Sequence, residues 1–443
     1  MQKSTSRIDK NSPLKEQNQK KPINQSFSRN ENLVYRKVAI GTQTFTSCVK
    51  SYKNHLSAEK DYFVSSLNEP VKYLVDSNSK RVSYIDLFCG GGGLSLGIHE
   101  SLKYFGFNPK LILASDLDVK ALNLVKSHFR PLYTMNNNIQ DLVKFSIDHT
   151  GHADDFIFYP EFYEKKIRDL RGRVDILVGG PPCQGHSNLN NKTRRFDSRN
   201  DLYYLMPAFA IGLDIPVVII ENVEAIKHSY EDVVSISKKI FKTHNYFIYE
   251  KKITSEDYGV AQTRGRHFLI ATKKPIKDFE AILEKLKVPP LTFDDINLNL
   301  PKLNFKNKEL ETLSYLSDEN LARVEFLHNE NLYNLPAKNR PTCHQEGHSY
   351  QSVYGRMYPD RPSGTITTGF ASPGRGRYVH PHEKRSINAR EAARIQSFPD
   401  HYWKSAPNLD FFLSQYRKII GDAVPANMIF PIISALYSNL HEK

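Results

Sequence analysis

Residues 82–97 read Val82-Ser83-Tyr84-Ile85-Asp86-Leu87-Phe88-Cys89-Gly90-Gly91-Gly92-Gly93-Leu94-Ser95-Leu96-Gly97, and this stretch decides the fold. Residues 82–88 form a short apolar run of strand type that ends in four glycines, after which a helix can start. Glycine permits positive φ and close backbone approach, and a helix N-terminus offers free N–H groups, so strand, glycine turn and helix together are the ingredients of a nucleotide-cofactor site. The spacing is not G-x-G-x-x-G, so a dinucleotide pyrophosphate is not what it suggests. Past a second apolar run, Ser115-Asp116-Leu117-Asp118 offers an acid for ribose hydroxyls and a leucine to cover an adenine face. Taken alone, the same residues also describe a flexible turn and a helix-capping acid.

Outward from this stretch the pattern repeats. Further apolar runs fall at 111–115, 174–178, 217–220 and 268–271, and helical stretches such as 119–128 and 201–213 separate several of them. Short continuous apolar runs alternating with helices predict an α/β fold: a mostly parallel sheet with helices on both faces. Residues 275–359 break the rhythm, being rich in Asn, Leu and Pro. Helical patterns return at 388–397 and 428–440. At the other end, residues 1–37 carry nine Lys/Arg and three acids and are expected to be a disordered basic tail. Residues 38–80 show weak strand alternation and a helix around 55–67, with no assigned role.

Composition narrows the function classes. The 443 residues carry a formal net charge of +13, which points to an acidic partner, either nucleic acid or an anionic surface. Apolar runs of about six residues fall short of the ~18–20 a spanning helix needs, so no membrane role is expected. Cys48, Cys89, Cys183 and Cys343 lie far apart without a C-x-x-C pair, which fits a reducing cytoplasm and predicts no metal site. His344, His348 and His380 read as surface or packing residues.

Three more motifs carry chemistry. Gly179-Gly180-Pro181-Pro182-Cys183-Gln184-Gly185-His186-Ser187 follows a buried strand, and two prolines stiffen the backbone ahead of a cysteine at the sheet's C-terminal edge. A nucleophile needs such aiming. The basic stretch after it, with Lys192, Arg194, Arg195 and Arg199, suits a loop closing over a phosphate backbone. Glu221-Asn222-Val223 sits at another strand end, where a buried carboxyl can hydrogen-bond a ring nitrogen. In Gln262-Thr263-Arg264-Gly265-Arg266, alternate arginines on a strand share one face.

In order along the chain, these blocks closely resemble the C5-cytosine DNA methyltransferases of bacterial restriction-modification type. Two later blocks join them: Arg390-Glu391-Ala392-Ala393-Arg394-Ile395-Gln396-Ser397-Phe398-Pro399, similar to the family's late helix, and Gly421-Asp422-Ala423-Val424-Pro425, similar to its closing motif. The resemblance runs from about Ser83 to the C-terminus. It implies an S-adenosylmethionine-dependent Rossmann-like fold, with Asp86, Phe88, Gly90, Gly92, Gly93, Leu94, Asp116, Leu117, Asn138, Ile139, Pro181, Asp422 and Val424 around the cofactor. It implies Cys183 as nucleophile, Glu221 as proton donor, and Arg264 and Arg266 as holders of base oxygen or phosphate. Asn138-Ile139 stands where the family usually has Asp-Ile, Asp422 where it has Asn, and Ala261 where Pro is common.

The resemblance further implies a flipped-out cytosine in duplex DNA. Expected DNA contacts are Gln184, Ser187, Arg194, Arg195, Arg199, Gln262, Arg356, Arg375 and Arg377. The expected division is a tail (1–37), an extension (38–80), a catalytic and cofactor-binding domain (81–274), a smaller irregular target-recognition domain (275–405) and a returning segment (406–443). The expected protein is cytoplasmic and monomeric, and a cognate restriction endonuclease acts on the same site without direct contact. The rival readings are an RNA (tRNA) cytosine-5 methyltransferase, a silent DNA-binding relative and a Cys183/His186 hydrolase. The ~80-residue irregular insert after the arginine motif favours DNA over tRNA.

Overall fold

A computed structural model describes residues 23–75, 80–148, 155–182, 198–229, 232–303, 305, 307–342, 345, 352–409 and 411–441. The described chain opens with an antiparallel sheet of β1 (Ile23–Asn30), β2 (Leu33–Ile40), β3 (Gln43–Lys50) and β4 (Lys72–Tyr73), with α1 (Ala58–Asn68) between the last two. There follow β5 (Arg81–Leu87), α2 (Gly93–Tyr104), β6 (Asn108–Ser115), α3 (Val119–Phe129) and β7 (Tyr133–Met135). A hairpin of β8 (Val143–Ile147) and β9 (Phe156–Phe162) leads through α4 (Lys165–Arg168) to β10 (Ile176–Gly179). Then come α5 (Leu205–Gly212), β11 (Val217–Asn222), α6 (Val233–Thr243), β12 (Phe247–Thr254) and β13 (Gly265–Thr272). The remaining helices are α7 (Phe279–Lys285), α8 (Phe293–Asn297), α9 (Lys308–Glu311), α10 (Asp318–Asn329), α11 (Ala389–Ile395), α12 (Leu413–Asp422) and α13 (Phe430–His441).

The central sheet has the order β12-β13-β11-β10-β5-β6-β7, parallel from β11 to β7, with β13 antiparallel to both β11 and β12. Alternation along each strand assigns its faces. Val82 and Tyr84 of β5, Val217 and Ile219 of β11, and Phe268 and Ile270 of β13 enter one core, which α2, α3 and α13 cover. Ile85, Leu87, Val218, Ile220, Leu269 and Ala271 enter the other, covered by α5 and α6. Strands buried on both faces explain the continuous apolar runs. The chain leaves β5 towards β6 and β7, then returns to β10 on the other side. The switch point therefore lies between β5 and β10, where open α/β sheets form their ligand crevice.

One expectation fails at the N-terminus. Residues 23–37, expected to be disordered, form β1 and the first part of β2. Phe27 and Arg29 alternate with exposed Ser26, Ser28 and Asn30, while Val34 and Val38 are fully buried in the main core. Asn, Ser and Arg dominate the composition here, but a two-residue period needs few apolar side chains to bury one face. The rest of the expected tail, residues 1–22, lies outside the described residues. β1–β3 and α1 share the main core instead of forming a separate one, and Arg36 lies over the Phe430 ring of α13 at 3.8 Å.

The C-terminus also holds more apolar sequence than six-residue runs suggest. Leu413–His441 is long and apolar enough to cross a membrane by composition, yet 83% of its most apolar window is buried inside the protein. Its apolar side chains form core. Residues 324–379 have a small core of their own, formed by Val324, Leu327, Leu335, Val353, Tyr354 and Val379. α11 begins where the sequence predicts: Asn388 accepts from the Glu391 N–H at 2.9 Å, and the Glu391 carboxylate accepts from the Asn388 N–H at 2.8 Å.

Candidate active site

Strand parity brings the chemical groups together. Asp86, Glu221 and Arg266 sit two residues beyond side chains of the α2-side core, so all three point to that face near the switch point. Asp86 is fully buried. Its Oδ2 accepts from the Ser95 hydroxyl at 2.6 Å, and its Oδ1 has no partner among the described residues. Burial lifts its carboxyl to about 7, Ser95 opposing and Asp116 adding.

The glycine turn after β5 is held by the next strand's loop. The Gly90 N–H donates to Asp116 Oδ2 at 2.7 Å, and the Asp118 N–H to Asp116 Oδ1 at 2.8 Å. Phe88, Gly90 and Gly92 have positive φ (60°, 49° and 82°), so the turn is left-handed even at a phenylalanine. The four glycines do different things. A Cβ on Gly90 would meet nothing within 4 Å, whereas one on Gly91 would lie 2.2 Å from Ile419. On Gly92 it would lie 2.6 Å from the Tyr402 hydroxyl, and on Gly93 2.3 Å from the Val424 carbonyl oxygen. Gly90 faces open space. The other three are the seam against residues 402–424.

Around this turn, Leu117 is 70% exposed at the end of β6, its carbonyl and that of Asp116 each accepting from Asn136 Nδ2 at 3.0 Å. Asn138 caps a short turn, its Oδ1 accepting from the Gln140 N–H at 3.3 Å, and Ile139 packs beneath it. Asp422 ends α12. Desolvation raises its carboxyl, opposed by Lys418 and Arg264 and reinforced by Asp116 and Asp118. Lys418 pairs with Asp118 at 2.5 Å, an ion pair that no sequence signal marked. Tyr402, whose hydroxyl donates to the Gly91 carbonyl at 2.7 Å, was equally unmarked.

Beside β10, Asn222 Nδ2 donates to the Pro181 carbonyl at 3.1 Å and so fixes the entry to the proline-stiffened loop. A Cβ on Gly180 would stand 3.0 Å from Glu221 Oε2, so glycine lets the carboxylate lie against that loop. Arg266 Nε pairs with Glu221 Oε1 at 2.9 Å, both side chains nearly buried. Burial raises the Glu221 carboxyl above its ordinary range, with Arg266 and Arg264 pulling against it. Cys183, Gln184, Ser187, Arg194 and Arg195 lie outside the described residues, and so does the side chain of Arg199.

Several expected contacts are turned inward. Gln262, expected on DNA, is fully buried between Gln396 and Ile366. Arg264, expected to act beside Arg266, is 4% exposed and donates through Nη1 to the Ile366 carbonyl at 3.0 Å. Its charge reaches Glu221, but the direct contact belongs to Arg266. Arg356 donates to the Pro381 carbonyl and Asn331, and Arg377 to the carbonyls of Tyr333 and Arg356, so both fasten the small core region. Arg375 remains exposed. Spacing along the chain does not say which way an arginine turns. His380 is a packing residue whose Nδ1 accepts from the N–H groups of His382 and Glu383.

A seven-stranded sheet in this order, with a glycine turn and a buried acid–arginine pair at its switch point, defines a Rossmann-like methyltransferase. The model of the C-5 cytosine-specific DNA methylases matches residues 82–438. The chain belongs to that family and is a DNA cytosine-5 methyltransferase. It is 37% identical over 353 residues to the type II methyltransferase M1.BsuMI of Bacillus subtilis, covering 80% of this chain and 79% of that one. It is 28% identical to the type II methylase M.HgiDII of Herpetosiphon aurantiacus, covering 81% and 97%. Among solved structures, a prophage-encoded DNA modification methyltransferase from E. coli matches with a TM-score of 0.51 at 24% identity, covering 82% of this chain and all of that one. The latter likeness speaks for the fold.

Proposed function

We propose that the protein methylates C5 of a flipped-out cytosine within a specific duplex DNA sequence, using S-adenosylmethionine, as the methylating partner of a restriction-modification system. The observation that carries the proposal is the buried Glu221–Arg266 pair lying against Gly180-Pro181, three residues ahead of Cys183. The cofactor fits the residues present. Gly90 leaves open space, Leu117 offers an unspent apolar face, Asp116 follows the adjacent strand β6, and Asp86 Oδ1 has no partner among the described residues. Phe88, Asn138, Asp422 and Val424 complete its surroundings. When bound, S-adenosylmethionine supplies an electrophilic methyl group on sulfonium sulfur.

The chain's own groups do the rest. Cytosine C5 is a poor nucleophile until something adds at C6. The Cys183 thiolate adds there, forming an S–C6 bond and raising electron density at C5. Glu221, its carboxyl shifted upward by burial against the pull of Arg266 and Arg264, hydrogen-bonds N3 and the exocyclic amine and stabilises the charge that develops. Arg266 orients that carboxyl and has donors left for the base oxygen. After methylation the C5 proton leaves, the S–C6 bond breaks, and the ring and the thiolate are restored. Residues 275–405 read the target sequence in this scheme, and the separate core there supports a recognition domain. The type II relatives support the restriction-modification setting.

The test is transfer of labelled methyl groups to duplex DNA and to tRNA, with bisulfite sequencing of DNA from expressing cells. Methylcytosine in one recurring DNA context is expected. Transfer only to tRNA would overturn the reading.

A further inference from the structure

We infer that Gln262 and Gln396 form a buried relay that couples the cofactor-side segment 420–424 to the target-side segment 366–368, making both glutamines positioning residues for the methyl transfer proposed above. Both side chains are fully buried. The Ile366 N–H donates to Gln262 Oε1 at 2.8 Å, and Gln262 Nε2 donates to Gln396 Oε1 at 2.8 Å. Gln396 Nε2 then donates to the Ile420 carbonyl at 2.8 Å and the Ala423 carbonyl at 3.3 Å.

The direction of the relay is fixed at both ends. A backbone N–H can only donate and a backbone carbonyl can only accept, so neither amide can flip without leaving a buried polar atom unpaired. Each end also reaches the chemistry. The Ile366 carbonyl accepts from Arg264 Nη1 at 3.0 Å, two residues from the arginine that touches Glu221. Beyond Ile420, a Cβ on Gly421 would lie 2.2 Å from the Thr368 nitrogen. The Val424 carbonyl oxygen stands 2.3 Å from where a Cβ of Gly93 would be. Close backbone packing and directional hydrogen bonds therefore join the same two segments, and neither can shift while the other stays in place. Neither the DNA contact expected of Gln262 nor the late helix that leads to Gln396 accounts for their mutual bond.

Calorimetric titration of the full chain with S-adenosylhomocysteine, alone and with the duplex it methylates, tests the relay. The wild type is expected to bind the nucleoside about fivefold tighter or more with DNA present, and DNA about equally tighter with the nucleoside present, since coupling is reciprocal. Gln396→Glu keeps the shape but presents a carboxylate oxygen to two carbonyls. It is expected to lose most of that factor while binding the nucleoside alone within about threefold of wild type. Gln262→Met, of similar volume, is expected to do the same and serves if the first variant does not fold. Equal weakening with and without DNA would mark a merely structural role and overturn the inference. So would a wild type without coupling, or a folded variant that retains it. A wild type that methylates no DNA would instead bring down the proposed function.

Discussion

Exchanging Gly90 for alanine and, separately, Gly93 for alanine should damage the protein in two different ways. At Gly93 the new Cβ would lie 2.3 Å from the Val424 carbonyl oxygen, about 0.7 Å inside the 3.0 Å limit for real contacts. The Cβ is fixed to its backbone and its neighbour is main chain, so the closing segment itself must move, and overpacking of this kind costs about 1–3 kcal/mol. At Gly90 the Cβ meets nothing within 4 Å, so only backbone conformation opposes it. The φ of +49° costs an L-residue about 1–2 kcal/mol. Alanine returns about 0.4–1 kcal/mol by restricting the unfolded chain, leaving a net loss near 1 kcal/mol. The open space is the proposed cofactor cradle, so Gly90→Ala should weaken S-adenosylhomocysteine about tenfold or more, roughly 1.4 kcal/mol. Urea unfolding separates the stabilities, and calorimetry the affinities. Nucleoside affinity within twofold of wild type for Gly90→Ala would sink the cradle assignment, and wild-type stability for Gly93→Ala would sink the seam.

Three other outcomes can be checked. Cys183→Ser should abolish turnover and leave nucleoside affinity within a few fold; retained methylation would remove Cys183 from its role. Asp86 has a folded-state value of about 7 against an ordinary 3.8, so its contribution to stability is fully present at low pH and is lost as pH rises through about 7. Urea midpoints measured from pH 5 to 8 should fall less steeply for Asp86→Asn than for wild type, and equal slopes would contradict the buried acid. Deleting residues 1–22, which hold six Lys/Arg against two acids, should lower DNA affinity mainly at low salt and reduce the salt slope. An unchanged slope would mean that this segment never meets DNA. Deletion to residue 37 is the wrong experiment, because it removes β1 and part of the core-forming β2.

The sequence was most legible where one residue type has one physical reading. Apolar runs at 82–88, 174–178 and 217–220 became central strands because a sheet covered on both faces draws apolar side chains from both parities. Asp86, Glu221 and Arg266 could be placed because strand parity and strand ends are countable. The arginines outside strands could not. Arg356 and Arg377 look as available for phosphate as Arg375, but their forked donors match the backbone carbonyls of a strand-poor region, and the fold takes them for that purpose. Gln262 failed for the same reason: an amide suits a base edge and a buried relay equally well. The N-terminal hairpin was missed because composition was weighed over period.

The glycine cluster after β5 has a second meaning, which concerns residues 402–429. Three of its four glycines, together with Gly97, lack side chains because residues 402–429 occupy the space: Ile419 against Gly91, Tyr402 against Gly92, Val424 against Gly93, and the Ala426 carbonyl against Gly97. Residues more than 300 positions downstream thus complete the turn after the first central strand, and that turn has few contacts of its own until they arrive. Contacts of such sequence separation form late, since loop closure must precede any gain from them. The turn after β5 is therefore packed by contacts that carry a high loop-closure cost. The segment between β13 and α11 also packs on this closure, since a Cβ on Gly421 would lie 2.2 Å from the Thr368 nitrogen and Asn307 Nδ2 donates to the Tyr416 hydroxyl at 3.0 Å. The relay fastens its C-terminal part, through Ile366, to Gln262 ahead of β13 and, through Gln396, to the closing segment at Ile420.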